Sequence, residues 1–167
     1  MMRARLWGPS APLVLALSAI VYGTDQTHKW WMIDVYGIAE RSPVQVTPFL
    51  DLVLVWNRGI SYGLFSTHTQ DVLVALSFVI CLVLWVWACT ATRPLGAAAL
   101  ALVIGGALGN ATDRLFRGAV ADFFYFHYQH FSWYVFNLAD VAIVAGVAVL
   151  LYEALWLGQT LDRRGKA

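Results

Sequence analysis

Residues 72–92 read VLVALSFVICLVLWVWACTAT, with no charged side chain. About 20 apolar residues in a helix span the hydrocarbon core of a bilayer. Three more runs have this character: residues 6–24, 94–112 and 138–158, the last interrupted by Asp140 and Glu153. In lipid the backbone must satisfy its own hydrogen bonds, so such runs are helical. The 167-residue chain is 60% hydrophobic and only 13% charged, against roughly 25% charge in soluble domains. The expectation is a polytopic α-helical membrane protein: one membrane domain over residues 1–167 with four transmembrane helices. The net charge is +1 and the basic residues are scattered, so nothing points to nucleic acid. Cys81 and Cys89 lie within an apolar stretch without CxxC spacing. They read as small buried residues rather than a disulfide framework or a zinc site.

Met1 to Arg5 followed by an apolar run also resembles a secretory signal peptide. The run is long for a signal's apolar core, and Asp25 and Lys29 follow it at once. A membrane span is the better reading. Arg3, Arg5, Arg93, Arg163, Arg164 and Lys166 fall in short segments on one side. Lys29, Arg41, Arg58, Arg114 and Arg117 fall in longer segments on the other. By density of positive charge, both termini face the cytoplasm.

Two external pieces remain. The first, residues 30–70, contains VQVTPFLDLVLVWNRGISYGLF, strand-like material with a turn at NRG and tight backbone at Gly59 and Gly63. It is expected to form a small β-cradle against the membrane. The second, residues 113–137, is crowded with aromatic rings, which favour the headgroup zone. It is expected to be an interfacial segment or lid.

The polar residues gather at one depth. Asp25, Gln26 and Lys29 end the first span, and Asn57 lies in the external loop. Asn110, Asp113 and Arg114 end the third span, with Asp122 shortly after. Asn137 and Asp140 begin the fourth. Ionisable groups at membrane depth face one another or a cavity, because exposure to lipid is expensive. Asn110, Asp113 and Arg114 share a helical face, Asn137 and Asp140 repeat the N-x-x-D spacing, and Asp25 and Lys29 stand at an ion-pair spacing. Each has a plainer explanation. Asn137 and Asp140 could form a capping box, Asp113 could pair with Arg114, and Lys29 and Arg114 could reach toward headgroups. Glu153 lies at the cytoplasmic end of the fourth span and reads as interfacial. His127 and His130 have a helical spacing but no acidic partner patterned around them, and HExxH is absent, so no metal site is expected.

Two carboxylates that share a proton can run acid–base chemistry, because each disfavours ionisation of the other. One takes a proton from the attacking water; the other donates to the carbonyl oxygen and assists the leaving amine. Spacing alone does not choose which two aspartates act.

DQTHK at 25–29, NRGISYGLF at 57–65, GGALGNATDR at 105–114, GAVADFF at 118–124 and FNLAD at 136–140 resemble, in order, the signature blocks of the lipoprotein signal peptidases, or signal peptidase II. The resemblance implies a metal-free aspartic endopeptidase of the bacterial inner membrane, without cofactor. Its four transmembrane helices and external β-cradle would place the site near the outer face. Such enzymes remove signal peptides from diacylglyceryl-modified prolipoproteins just before the lipidated cysteine. Cyclic peptides of the globomycin type block them. The implied catalytic dyad is Asp122 and Asp140. Asp25, Lys29, Asn57, Gly59, Asn110, Asp113, Arg114 and Asn137 fall at the supporting positions. Asn110 and Asn137 would orient carboxylates or substrate backbone, Asp113 and Arg114 would brace the end of the third helix, and Lys29 would pair with Asp25. The implied partners are prolipoproteins and membrane lipids, with the chain a monomer. His28, Tyr62 and Thr112 depart from the usual Thr or Ser, Phe and aliphatic residues. His28 is the departure that could change local hydrogen bonding or the response to pH.

Three other readings remain. A small transporter could use the polar cluster as an ion path, although such sites favour the bilayer midplane and matched, interrupted segments. Ser61 and Lys29 could form a serine–lysine protease. A purely structural subunit would tolerate every aspartate replacement.

Overall fold

The computed structural model describes residues 6–59 and 69–157. Ser61, Tyr62 and Gly63, and the basic residues at both termini, lie outside the described residues.

Helix α1 covers Ala11–Trp30, with a proline in its first turn, where the missing N–H costs nothing. A π-helical turn, Trp31–Val35, continues it. Gly37, at φ 67°, then breaks the direction before the single turn α2, Ile38–Arg41. Helix α3 is Thr69–Thr90, α4 is Pro94–Arg117 and α5 is Leu138–Tyr152, which runs into a π-helical turn at Glu153–Leu157. Windows in α3, α4 and α5 are long and apolar enough to cross a membrane. Helix α1 has the length, but the DQTHK stretch makes its last turns polar.

Helix α4 is central. Of its apolar window 61% is buried within the protein, against 22% for α3 and 11% for the α5 window. Val14, Leu100 and Ile104 anchor the core between α1 and α4. Close approach depends on small residues, as is usual between membrane helices. A Cβ on Gly106 would stand 2.5 Å from the Ala139 carbonyl oxygen, and one on Gly146 would stand 2.6 Å from that of Ala99.

The sheet contains β1 (Val44–Thr47), β2 (Leu50–Asn57), β3 (Val120–Tyr128) and β4 (Phe131–Phe136) in that order, every pair antiparallel. Residues 113–137, expected as one interfacial segment, are divided between a helix and two strands. Helix α4 takes the first five as far as Arg117, and 120–136 supply half of the sheet. Aromatic side chains suit a pleated surface as well as a headgroup layer. Here Phe136 packs on both Phe124 and Phe126, each with ring centroids 5.7 Å away. On the other face Ala121 and Phe123 close a second core with Met32 and Ile38. Among the described residues of 30–70, the strands are β1 and β2.

Candidate active site

Five elements converge on one buried polar network. Helix α1 brings Asp25 and Lys29, the end of β2 brings Asn57, α4 brings Asn110 and Asp113, β3 brings Asp122, and the start of α5 brings Asn137 and Asp140. Asp25, Lys29, Asp113, Asp122 and Asn137 are almost wholly buried. Buried charges persist only when paired or hydrogen-bonded, and each of these is.

Asn137 joins the two candidate catalytic carboxylates. Its Nδ2 donates to Asp122 Oδ1 at 2.6 Å, and its Oδ1 accepts from the Asp140 backbone N–H at 3.0 Å. Asp140 Oδ2 accepts in return from the Asn137 backbone N–H at 3.2 Å. This is a capping box at the start of α5. The plain explanation of the N-x-x-D spacing and the functional one are both satisfied by the same atoms. Asn57 Nδ2 donates to Asp122 Oδ2 at 3.1 Å, and Asn110 Nδ2 donates to Asp140 Oδ1 at 2.8 Å. The backbone N–H of Gly59 donates to Asn57 Oδ1 at 2.9 Å. Gly59 adopts φ 89°, a conformation that disfavours any residue with a Cβ.

Burial pushes the Asp122 carboxyl up to about 6, and the charge of Asp140 adds to the rise. The hydrogen bonds from Asn57 and Asn137 and the charge of Lys29 pull the other way. The two carboxylates thus sit in different surroundings. Asp140 lies in the first turn of α5, where the helix dipole favours negative charge.

Behind the carboxylates lies an ionic brace. Lys29 Nζ stands 2.9 Å from Asp25 Oδ2 and 2.8 Å from Asp113 Oδ2, and it donates to Asn110 Oδ1 at 3.2 Å. An ammonium has three donors, and all three are engaged. That geometry leaves Lys29 unsuited to act as the base of a serine–lysine pair. Asp25 Oδ1 accepts from the Ala139 backbone N–H at 3.0 Å, and Asp113 Oδ2 accepts from that of Ala121 at 3.1 Å. The brace therefore holds α5 one residue before Asp140 and β3 one residue before Asp122.

Arg114 does not pair with Asp113. Arg117 does, at 2.7 Å, a partner visible in the sequence only as the i+4 spacing. Arg114 Nη1 donates to the Asn110 carbonyl at 3.3 Å, and its charge lies within the electrostatic reach of Asp140, Asp122 and Asp113. Gln26, which bridges Asp25, Asp113 and the Gly109 carbonyl, is a further member of the network. His28 stacks on Phe124 and meets Phe123 edge-on, both at 5.4 Å, and its Nδ1 is buried without a partner. Thr112 Oγ1 donates to the Tyr22 hydroxyl at 3.4 Å.

His127 has an acidic partner after all: its Nε2 lies 3.1 Å from Asp51 Oδ2. The spacing of His127 and His130 is not helical, because β3 ends at Tyr128 and a turn follows. Strand pairing across β2 and β3 supplies the aspartate, and such pairing is not written in local spacing. Among the described residues, no group of three or more His, Cys, Asp or Glu side chains is arranged to hold a metal ion.

The family model for signal peptidase (SPase) II matches residues 17–156. The lipoprotein signal peptidase of Methylocella silvestris is 49% identical over 164 residues, covering 94% of this chain and 95% of that protein. That of Beijerinckia indica is 53% identical over 133 residues, covering 78% of this chain and 80% of that protein. A bacterial membrane enzyme solved by the in meso method at 1.9 Å resolution shares the fold with a TM-score of 0.77 at 22% identity, over 93% of this chain and 99% of that one. This chain belongs to the signal peptidase II family.

Proposed function

We propose that the protein is an aspartic endopeptidase of the bacterial inner membrane. It removes the signal peptide from diacylglyceryl-modified prolipoproteins just before the lipidated cysteine, with Asp122 and Asp140 as the catalytic dyad. The observation that carries the assignment of the dyad is that one residue, Asn137, holds both carboxylates, Asp122 through its side-chain amide and Asp140 through its backbone N–H, with Asp122 shifted to about 6.

The surroundings divide the roles. Asp122 holds the proton and donates it to the scissile carbonyl oxygen. Asp140, at the positive end of α5, carries the charge and takes a proton from the attacking water. As the tetrahedral diol collapses and the C–N bond breaks, Asp140 passes the water-derived proton to the leaving amine, Asp122 takes a proton back from the diol hydroxyl, and the pair returns to its starting state. The two sites titrate as one system, so any observed constants belong to the dyad. Asn110, Asn137 and Asn57 fix the carboxylate planes, and the Lys29 brace fixes the helices that carry them.

Four spans with both termini in the cytoplasm put the sheet and the dyad at the outer face. The three apolar helices, the length of α1 and the one-sided polar network support that arrangement. Asp140 is partly exposed, which leaves a route for substrate from the bilayer, its acyl chains remaining in lipid. Globomycin-type cyclic peptides are expected to occupy the same region. The test is cleavage of a diacylglyceryl-modified prolipoprotein by purified protein in detergent, with Asp122→Asn and Asp140→Asn beside wild type and a chelator control. Loss of cleavage in both folded variants, with wild type indifferent to chelator, supports the dyad. Cleavage retained by either variant overturns it.

A further inference from the structure

We infer that the signal sequence of the substrate lies as a helix in the gap between α3 and α5, with its basic amino-terminal end received by Glu153. The inference rests on the proposed peptidase function. Helices α3 and α5 both pack on α4 and scarcely touch each other. Asp140 stands in the first turn of α5, at the outer end of that helix. Below it Val144, Val147 and Leu151 follow at i+4, i+7 and i+11, so they share its face of α5. All three are exposed, as are Leu76, Ile80 and Trp87 on one face of α3.

At the inner end the gap opens into a cavity of about 460 Å³ that Trp87, Leu150, Ala154, Arg93 and Glu153 help to line. Glu153 faces Arg93 there at 3.5 Å, with side-chain exposures of 18% and 39%. A long, half-solvated pair of this kind contributes little and can yield to another cation.

The dimensions suit a signal sequence. Thirteen residues separate Asp140 from Glu153, a helical rise of about 20 Å. A signal sequence has an apolar core of roughly 7–15 residues preceded by a positively charged segment. With the scissile bond at the dyad, an apolar helical core of that length places its basic end level with Glu153. The gap is flanked by apolar side chains along its length, and Glu153, turned toward Gly96 of α4, supplies the acidic group of the cavity at its inner end.

The test compares two prolipoprotein substrates with purified enzyme, one with lysines in its amino-terminal segment and one with those lysines replaced by glutamine. Glu153→Gln is expected to raise KM for the lysine substrate by about three-fold, the scale of one partly solvated ion pair. It should leave kcat, and both constants for the glutamine substrate, unchanged. Arg93→Gln removes the competing cation and is expected to lower KM for the lysine substrate. A merely structural Arg93–Glu153 pair would move both variants in the same direction for both substrates, and that result overturns the inference. So does a Glu153→Gln enzyme that does not distinguish the substrates. If wild type and Glu153→Gln cleave both substrates alike while Asp122→Asn and Asp140→Asn are inactive, this inference fails and the dyad stands. If wild type cleaves neither, both readings fail together.

Discussion

Asn110 connects Lys29 to Asp140: its Oδ1 accepts from Lys29 Nζ at 3.2 Å while its Nδ2 donates to Asp140 Oδ1 at 2.8 Å. One amide thus transmits the position of a buried cation to a carboxylate that Lys29 itself is not seen to contact. Replacement by alanine leaves an ammonium donor without its acceptor and a carboxylate oxygen without its donor. Each loss costs about 1–3 kcal/mol when buried. Asn110→Ala is expected to lower kcat on prolipoprotein at least ten-fold and to reduce thermal stability, as read by steady-state cleavage and by melting in detergent. An Asn110→Ala enzyme with wild-type kcat would remove Asn110 from the orienting machinery.

Lys29→Met tests the brace. The side chain fits a similar volume but strands Asp25 and Asp113 without their shared cation. Breaking a buried pair in this way costs about 3–5 kcal/mol. The variant is expected to yield little folded protein, judged by monodispersity in detergent. Replacing Asp25 and Asp113 by asparagine in the same chain should restore part of the yield. Normal folding of the single variant would show that the two carboxylates find protons or other donors without Lys29.

The carboxyl of Asp122 makes stability depend on pH. Its value is about 6 when folded against 3.8 ordinarily, so the folded state holds the proton more tightly. That contribution is complete below the ordinary value and disappears as pH rises through about 6. Asp122→Asn removes the term. The melting temperature of Asp122→Asn relative to wild type should therefore be higher at about pH 8 than at about pH 5. A difference independent of pH would place the titration elsewhere in the dyad.

Gly109 lies against the brace. A Cβ there would come within 2.5 Å of Asp25 Oδ2, which bonds Lys29 and Gln26. Gly109→Ala is expected to displace Asp25, loosen the hold on Ala139 and depress kcat more than KM. The same change at Gly23, where a Cβ meets nothing within 4 Å, is the control and should be silent in the cleavage assay. Equal effects at the two positions would mean that lost backbone freedom, rather than the displaced carboxylate, is responsible.

Much of this site was legible before any coordinates. The apolar runs mark α3, α4 and α5 because periodicity and length act locally. The N-x-x-D pairs mark Asn110 with Asp113 and Asn137 with Asp140 for the same reason. The network's cross-links were not legible. Arg117 rather than Arg114 meets Asp113, since a difference of one residue turns a side chain by about 100° around a helix. Asp51 reaches His127 only because β2 pairs with β3 across 76 residues of chain. The strands of 120–136 were hidden by their composition: aromatic residues serve a lipid interface and a pleated sheet equally, and only the pairing with β2 reveals the strands. His28 illustrates the opposite limit. Its departure from the usual residue was visible, whereas its stacking on Phe124 depends on β3 lying beneath α1.

The antiparallel pairing of β2 with β3 has a consequence for biosynthesis. Asn57 and the Asp122 it contacts are separated in the chain by two membrane helices, α3 and α4. A growing polypeptide must place both of those helices before the second half of the sheet exists. Until α4 is made the brace at Lys29 and Asp25 lacks Asp113, and until α5 begins it lacks Ala139. The polar residues of α1 thus wait, half-assembled, for partners synthesised more than eighty residues later. A truncated or stalled chain that ends before β3 contains neither aspartate of the dyad, so the protein brings its own cleavage chemistry into being only at the last helix.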